Sequence, residues 1–568
     1  MKKGVFCMEN NCKFNHLGVM FDCTRNAVIT VPQLKKFMDL LKKMGYNRIY
    51  IYMEDTYEVE GEPYFGYLRG RYSMAELTEI DEYAYSLGME FVPVIQTLAF
   101  MDKIFQWPQY AALCDIEDIL LADDERTYAL IDKMLSSIRK CLRHSNKIHL
   151  SMDEASKLGK GQYRDIHGEV PSTEIMMRHL GRVCDIAKGY GLEPIIWSST
   201  LYYSVNGTWR PHTFPNYPEG EKFDETLIDR VPKGLCVNYY SYNEHREDVS
   251  PIRVGGMLDW FIRLVGKERV HFAAGAWKWQ SFSPRNQLSM VATRISMKEC
   301  AKRGIDTFFQ TMWGDDGAEA SPYCLLPTLA YTACLAYGIE DMDEIRAKFR
   351  EWVGADMDDF MLLDQLDFTP EYMLGMPMTP TKAALYNDCF YGKVETIIAP
   401  YDADNYAKFA ENIGEAAARV GEYKYVFDSL SKLCSVLALK ASIGKRTREV
   451  YQSGDKAALD ALIADYDEMI RRTEAFYATY RKQWYTENKP HGFEVQDIRL
   501  GGLMCRMRNC RDRLQEYRDG EIDRLIDLED ELLQYVQTDR LPYSGVKIEG
   551  MVRRTPTWWN STVTTCKL

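Results

Sequence analysis

Apolar and polar positions along the chain fall into two textures. From about residue 17 to about 335, short β-type apolar runs alternate with stretches whose apolar positions recur at helical spacing. The runs occupy 18–22, 48–53, 90–95, 147–152, 194–197, 235–240, 270–277 and 307–313. Helical patterns lie between them at 32–44, 74–87, 125–142, 172–190 and 284–303. Such alternation predicts βαβ units and a parallel sheet. Eight strands with interposed helices in this span predict an α/β fold, a (β/α)8 TIM barrel with enlarged loops. An open doubly wound sheet is the alternative, but no glycine-rich phosphate turn follows the first run.

Beyond about residue 339 the strand signals vanish. Long helical patterns at 341–353, 405–420, 456–482 and 496–536 predict an α-helical C-terminal domain. The expected division is an N-terminal extension (1–16), the barrel (17–338), the helical domain (339–543) and a β-rich tail (544–568) that carries Trp558 and Trp559.

Composition narrows the function classes. The 568 residues are 46% hydrophobic and 27% charged, with a net charge of −13. That balance suits a packed globular protein and disfavours nucleic acid or an anionic membrane as partner. The 15 cysteines are scattered and odd in number, and read as small buried hydrophobes in a reducing compartment. No leader-like apolar stretch follows Met1-Lys2-Lys3, and no run is long enough to span a bilayer. A cytoplasmic location is expected, and the sequons at Asn206 and Asn560 then carry no weight. The helical region and the aromatic tail suggest a homodimer.

Barrels of this kind place their active site at the C-terminal ends of the strands. Those ends are polar and aromatic here. In order they hold Asp22 and Arg25, Glu54-Asp55, Gln96-Thr97, Asp153-Glu154, Trp197, Tyr239-Tyr240, Trp277 and Trp279, then Trp313 with Asp315 and Asp316. Pyranose faces pack on aromatic rings, and hydroxyls need charged, bidentate partners. Glycosidic cleavage needs an acid for the leaving oxygen and a second group for the oxocarbenium-like centre. A small glycan or glycoconjugate fragment is the expected partner, with neither metal nor cofactor.

The adjacent pair Asp153-Glu154 is the sharpest signal. On a regular strand the two side chains diverge. At a strand end the backbone bends, so the shorter Asp lies deep in a pocket and the longer Glu reaches outward. The plain alternative is a helix cap or a solvated turn. Arg25 could equally be a surface cation or a partner of Asp22, and Glu54-Asp55 could cap the second strand. One tryptophan is more often core than platform, but four at successive strand ends weaken that explanation. Cys7, Cys12 and His16 have irregular spacing for a metal site.

The segments at 18–28, 52–73, 148–155, 273–279 and 312–319 resemble glycoside hydrolase family 20, and most resemble its cytoplasmic bacterial exo-β-N-acetylhexosaminidases. The resemblance covers the barrel and extends to the helical C-terminal domain. It implies a retaining, substrate-assisted mechanism through an oxazolinium ion. It implies Glu154 as acid/base, Asp153 as orienter of the acetamido N–H and Tyr240, with Tyr239 second, as holder of the acetamido oxygen. Arg25 and Asp315 would bind hydroxyls, Glu54 would join the substrate-binding set, and Trp197, Trp277, Trp279 and Trp313 would wall the pocket.

The sequence departs from that pattern at Phe100, Ser151, Ser199, Val237 and Asn238, where the branch usually has histidine, glycine, aspartate, tryptophan and aspartate. Two alternatives therefore stay open. One is a hydrolase for a substituted hexosamine, for example a sulfated one. The other is a barrel that binds carbohydrate without cleaving it.

Overall fold

The computed structural model describes residues 12–207, 222–367, 379–398, 402–535 and 559–566. Eight parallel strands close into a barrel: β1 (His16–Asp22), β2 (Arg48–Glu54), β3 (Glu90–Ile95), β4 (Lys147–His149), β5 (Glu193–Trp197), β6 (Cys236–Tyr240), β7 (Val270–Gly275) and β8 (Thr307–Met312). Each strand pairs with its neighbours in sequence, and β8 closes onto β1 with His16 opposite Thr307. The expected TIM barrel is the observed fold.

The barrel interior is packed with side chains. The Tyr50 and Phe309 rings stack there with centroids 4.4 Å apart. Gly18 makes room for them, since a Cβ at that position would lie 2.8 Å from the Tyr50 ring. Helices Val31–Lys43, Met74–Ser86, Glu125–Cys141, Ser172–Gly189 and Asn286–Arg303 match the five that the pattern predicts. Met74–Ser86 opens with a capping box, in which Ser73 and Glu76 exchange side-chain to backbone bonds. A further helix, Ser250–Val265, joins β6 to β7. It was not among the predicted helices, although Val254, Leu258, Phe261 and Val265 recur at helical spacing on its buried side.

Two strand ends differ from expectation. β4 stops at His149, before the expected 152, and β7 stops at Gly275. Past His149 the chain turns through Ser151 and Met152 with φ of 57° and 64°, which no ladder accommodates.

The chain divides into two compact units. The first comprises Met1–Trp277, Leu288–Trp313 and Thr328–Lys348, and the second Lys278–Gln287, Gly314–Pro327 and Phe349–Leu568. The two loops 278–287 and 314–327 thus cluster with the helical unit, although they follow barrel strands.

Within the second unit the long helices are Asp402–Ala416, Lys424–Ser453, Lys456–Glu487 and Phe493–Asp519. Their core gathers Leu462, Tyr466, Met469, Met507, Cys510 and Leu514. Lys424–Ser453 was not among the predicted helices, although Val426, Leu430, Leu433 and Leu437 recur at helical spacing along it. The last helix ends at Asp519, well before 536, because Gly520 adopts a left-handed φ of 79° and closes the turn.

Residues 544–558 of the expected β-rich tail, Trp558 included, lie outside the described residues, as does Cys7. Trp559–Val563 is helical, which corrects the strand expectation there. The Asp316 carboxylate accepts the Trp559 amide at 2.8 Å and so meets a donor that the helix start leaves open. The described cysteines are free thiols, most of them buried. No described helix is long and apolar enough to cross a membrane.

Candidate active site

The first unit builds a polar and aromatic pocket from side chains at the C-terminal ends of its strands. The end of β4 carries the central pair. Asp153 is buried, whereas Glu154, with φ of 54°, is exposed. Three left-handed non-glycine residues in four positions cost about 1–3 kcal/mol each, a kind of strain that gathers at functional sites. The same turn separates the pair, sending one carboxyl inward and one out.

Asp153 does not stand alone in the pocket. Gln96, just past β3, donates its side-chain amide to Asp153 Oδ1 at 2.7 Å and to the Tyr52 hydroxyl at 2.8 Å. Its own oxygen takes the Met152 amide at 3.3 Å, which clamps the bent backbone. Burial pushes the Asp153 carboxyl up to about 6, and the Gln96 bond opposes that rise.

From Tyr52 the network runs on to β2. The Tyr52 hydroxyl donates to Glu54 Oε1 at 2.9 Å, and Arg25 donates to the same oxygen at 2.5 Å. Burial pushes Glu54 up to about 7, although the Arg25 guanidinium pulls it down. Asp55 turns the other way and pairs with Arg69 at 3.0 Å, and Arg69 also reaches the Thr24 carbonyl at 2.7 Å. The Arg25 guanidinium lies 5.4 Å from the Tyr52 ring, 5.4 Å from Phe100 and 5.9 Å from Trp313. Phe100, standing where the family pattern has histidine, thus becomes an aromatic wall for the arginine.

Aromatic rings form the remaining sides. Trp197 is edge-on to Tyr240 at 5.6 Å and lies 5.9 Å from Trp313, which meets Tyr52 at 4.9 Å. The Tyr240 and Tyr242 rings stack at 5.2 Å, and the Trp313 indole donates to the Tyr242 hydroxyl at 3.1 Å. Burial holds both hydroxyls well above their ordinary range, and the charges of Glu154 and Asp153 add to it. Ser199 Oγ accepts the Glu154 amide at 3.3 Å and bonds the Tyr240 side chain. Serine at this position therefore supports the backbone of the pair.

His149 is neutral, its pKa pushed down to about 3 by burial, and its Nδ1 accepts the Ser151 amide at 3.0 Å. The Trp197 indole nitrogen, the Asn238 amide and Ser151 Oγ are buried and have no hydrogen-bond partner among the described residues. Buried polar atoms left open in a pocket wall are hydrogen-bonding capacity held for a ligand or water.

The structure thus joins Arg25, Glu54, Trp197, Tyr240 and Trp313 through direct contacts, and ties Asp153 to them through Gln96 and Tyr52. Glu154 adjoins them on the same strand end. Tyr239 faces away and packs on Phe261 and Phe272. Trp277 is buried two residues past β7, its amide bonded to Ser289. Trp279 and Asp315 belong to the second unit, where the Gln280 amide donates to the Asp315 carbonyl at 2.9 Å. Tyr52, Gln96 and Tyr242 were not predicted as site residues. Their signal was present for the two tyrosines, since Tyr52 stands two positions before Glu54 on β2 and Tyr242 two positions after Tyr240, just past β6. Among the described residues, no group of three His, Cys, Asp or Glu could hold a metal ion.

Residues 358–546 match the family model described as the Glycoside Hydrolase 20C C-terminal domain. Human hexosaminidase D is 24% identical over 185 residues, which cover 31% of this chain and 38% of that protein. Hexosaminidase D of Bos taurus is 26% identical over 141 residues, 24% of this chain and 41% of that protein. The match therefore spans about two-fifths of the length of these curated relatives. Among solved structures, the exo-β-N-acetylglucosaminidase of Vibrio harveyi with N-acetylglucosamine has a TM-score of 0.43 at 12% identity, covering 62% of this chain and 59% of that one. The Flavobacterium johnsoniae chitobiase has a TM-score of 0.45 at 14% identity, covering 83% and 78%.

The segment that matches this family model supplies two cations to a buried cluster of the second unit. Lys382 pairs with Asp316 at 2.6 Å and Glu319 at 2.7 Å, and Arg499 pairs with the same two at 3.1 and 3.0 Å. Two carboxylates and two cations balance, which is what makes their burial tolerable.

Proposed function

We propose that the chain is a retaining exo-β-N-acetylhexosaminidase that releases terminal β-linked GlcNAc or GalNAc from small glycans. The observation that carries this reading is the divided pair, Asp153 buried and Gln96-bonded beside Glu154 exposed, within a wall formed by Trp197, Tyr240 and Trp313. The match of residues 358–546 to the glycoside hydrolase 20C C-terminal domain and the likeness to hexosaminidase D support it.

In this reading the acetamido oxygen of the sugar attacks its own anomeric carbon and the glycosidic bond breaks. Glu154 protonates the departing oxygen. Asp153, as carboxylate, accepts the acetamido N–H and stabilises the oxazolinium ion that forms. Tyr240 donates its hydroxyl to the acetamido oxygen. Glu154 then takes a proton from the water that opens the ring, so configuration is retained. Arg25, already held by Glu54, binds sugar hydroxyls. The enzyme works in the cytoplasm as a homodimer, on soluble fragments and not on nucleic acid or membrane, and needs no metal or cofactor.

A second reading, a substituted hexosamine as substrate, is favoured by Phe100 and Ser199. They put a ring and a hydroxyl where the family pattern has an imidazole and a carboxylate. One panel tests both: aryl β-GlcNAc, aryl β-GalNAc, their 6-sulfated forms and aryl β-glucoside. The expected result is turnover of the acetamido sugars alone. Comparable cleavage of the glucoside would overturn the acetamido mechanism, and preference for a sulfated sugar would select the second reading.

A further inference from the structure

Two loops leave the catalytic face of the barrel beside the pocket, one after β2 and one after β3. They carry an aromatic cluster that the chemistry above does not use. The Tyr64, Tyr67 and Trp107 rings touch one another, with centroid distances of 5.9, 5.4 and 5.6 Å. Tyr64 and Tyr67 remain 45% and 44% exposed, and Leu68 beside them, with a left-handed φ of 65°, is 65% exposed.

Scattered exposed hydrophobes need no explanation, but three mutually packed rings, two exposed and Trp107 half-buried, do. The loops that hold them are braced. The Tyr110 hydroxyl of the second loop donates to Glu62 of the first at 2.8 Å. Gly66 lies so close to the Asp55 carbonyl that a Cβ would come within 2.0 Å of it. Its φ of 65° and that contact fix Tyr64 and Tyr67 relative to Asp55, the residue after Glu54. Trp107 follows seven residues after Phe100, the ring that walls Arg25. The cluster is therefore braced between the two loops, each of which starts next to a pocket residue, Glu54 in one case and Gln96 in the other.

We propose that Tyr64, Tyr67 and Trp107 form an acceptor platform that stacks the sugar rings on the leaving-group side of the scissile bond. The inference rests on the hydrolase reading and extends it from the cleaved sugar to the substrate's length. Each ring couples an apolar face to a polar tip, the combination that suits pyranose C–H faces bordered by hydroxyls. A braced platform also keeps the ordering cost of binding low.

The test compares the wild-type chain with a Tyr64→Ala/Trp107→Ala double variant on 4-nitrophenyl β-N-acetylglucosaminide and on a β-1,4-linked GlcNAc tetramer. For the aryl glycoside, kcat/KM stays within about twofold, because the aglycone is too short to stack. For the tetramer it falls about tenfold, the size of a lost aromatic contact or two. Trp107→Phe, which keeps a ring, retains most of the tetramer activity. Equal losses on both substrates, or none on the tetramer, would overturn the platform. So would a variant that changes only the sedimenting mass, which would make the cluster a contact between copies. If the wild-type chain cleaves neither substrate, the hydrolase reading fails. The platform is then judged by calorimetric binding of the tetramer, where the same tenfold weakening supports it and equal affinity refutes it.

Discussion

The bond from Gln96 to Asp153 sets a quantity that can be measured. Gln96→Leu keeps the approximate volume of the side chain and removes both the donor to Asp153 Oδ1 and the acceptor for the Met152 amide. A hydrogen bond to a charged group contributes about 1.5–3 kcal/mol, and its loss moves a carboxyl up by about one to two pH units. Asp153, held at about 6 in the native protein, then titrates near ~7–8. At pH 7 the ionised fraction falls from ~90% to between ~10% and ~50%. The proposed chemistry needs Asp153 as carboxylate, so the acid limb of kcat/KM moves to higher pH. Activity on an aryl N-acetylglucosaminide drops about two- to tenfold at pH 7 and recovers towards pH 9. The assay is the full pH profile of kcat/KM for both proteins, with thermal midpoints measured alongside. A limb that stays at the wild-type pH would refute the reasoning, and so would a loss that is the same at every pH, since that signals a disturbed backbone at Met152.

Three further outcomes follow from the same geometry. Glu54 has a folded-state pKa of about 7 against an ordinary 4.5, so its protonated form stabilises the fold below pH 4.5 and that contribution is lost as pH rises through 7. The stability of wild type relative to Glu54→Gln, read from urea midpoints, should fall by about 3 kcal/mol between pH 4.5 and pH 8, and a difference that grows with pH would contradict this. Ser151 sits at φ 57° with an unpartnered buried hydroxyl, so Ser151→Gly should stabilise the protein by about 0.5–1 kcal/mol, relief of left-handed strain outweighing the added chain freedom; a lower thermal midpoint would refute it. Lys382→Met leaves Asp316 and Glu319 with Arg499 alone and should destabilise the second unit by about 3–5 kcal/mol, seen as faster proteolysis of the helical region; unchanged proteolysis would show that the cluster relaxes freely.

The barrel was legible because each strand is short, apolar and followed by an amphipathic helix, and local pattern and global topology agree. Residues at the strand ends were legible for the same reason, since a known fold class fixes which end of each strand bears chemistry. What stayed hidden depends on partners far apart in sequence. Gln96 was visible as a strand-end residue, but its two hydrogen bonds, to Asp153 and to Tyr52, require β2, β3 and the turn after β4 together. The allegiance of loops 278–287 and 314–327 to the helical unit was hidden too. It follows from contacts such as Phe282 on Phe476 and Tyr480, about 200 residues away.

The division of labour between the two carboxyls shows how little of a site the residue types alone decide. An Asp-Glu dipeptide on a continuing strand would place one side chain inside the barrel and the other among the helices. Here β4 ends at His149, four positions before Asp153, and left-handed turns at Ser151, Met152 and Glu154 replace the ladder. Those conformations are unfavourable for L-residues, so something must hold them. The Gln96 oxygen on the Met152 amide, the His149 ring on the Ser151 amide and the Ser199 hydroxyl on the Glu154 amide do so. The site is thus specified by hydrogen-bond acceptors for three backbone amides as much as by its acids. Two of those acceptors, Gln96 and Ser199, lie on other strand ends, so the local sequence around Asp153 and Glu154 cannot by itself reveal how the pair is set.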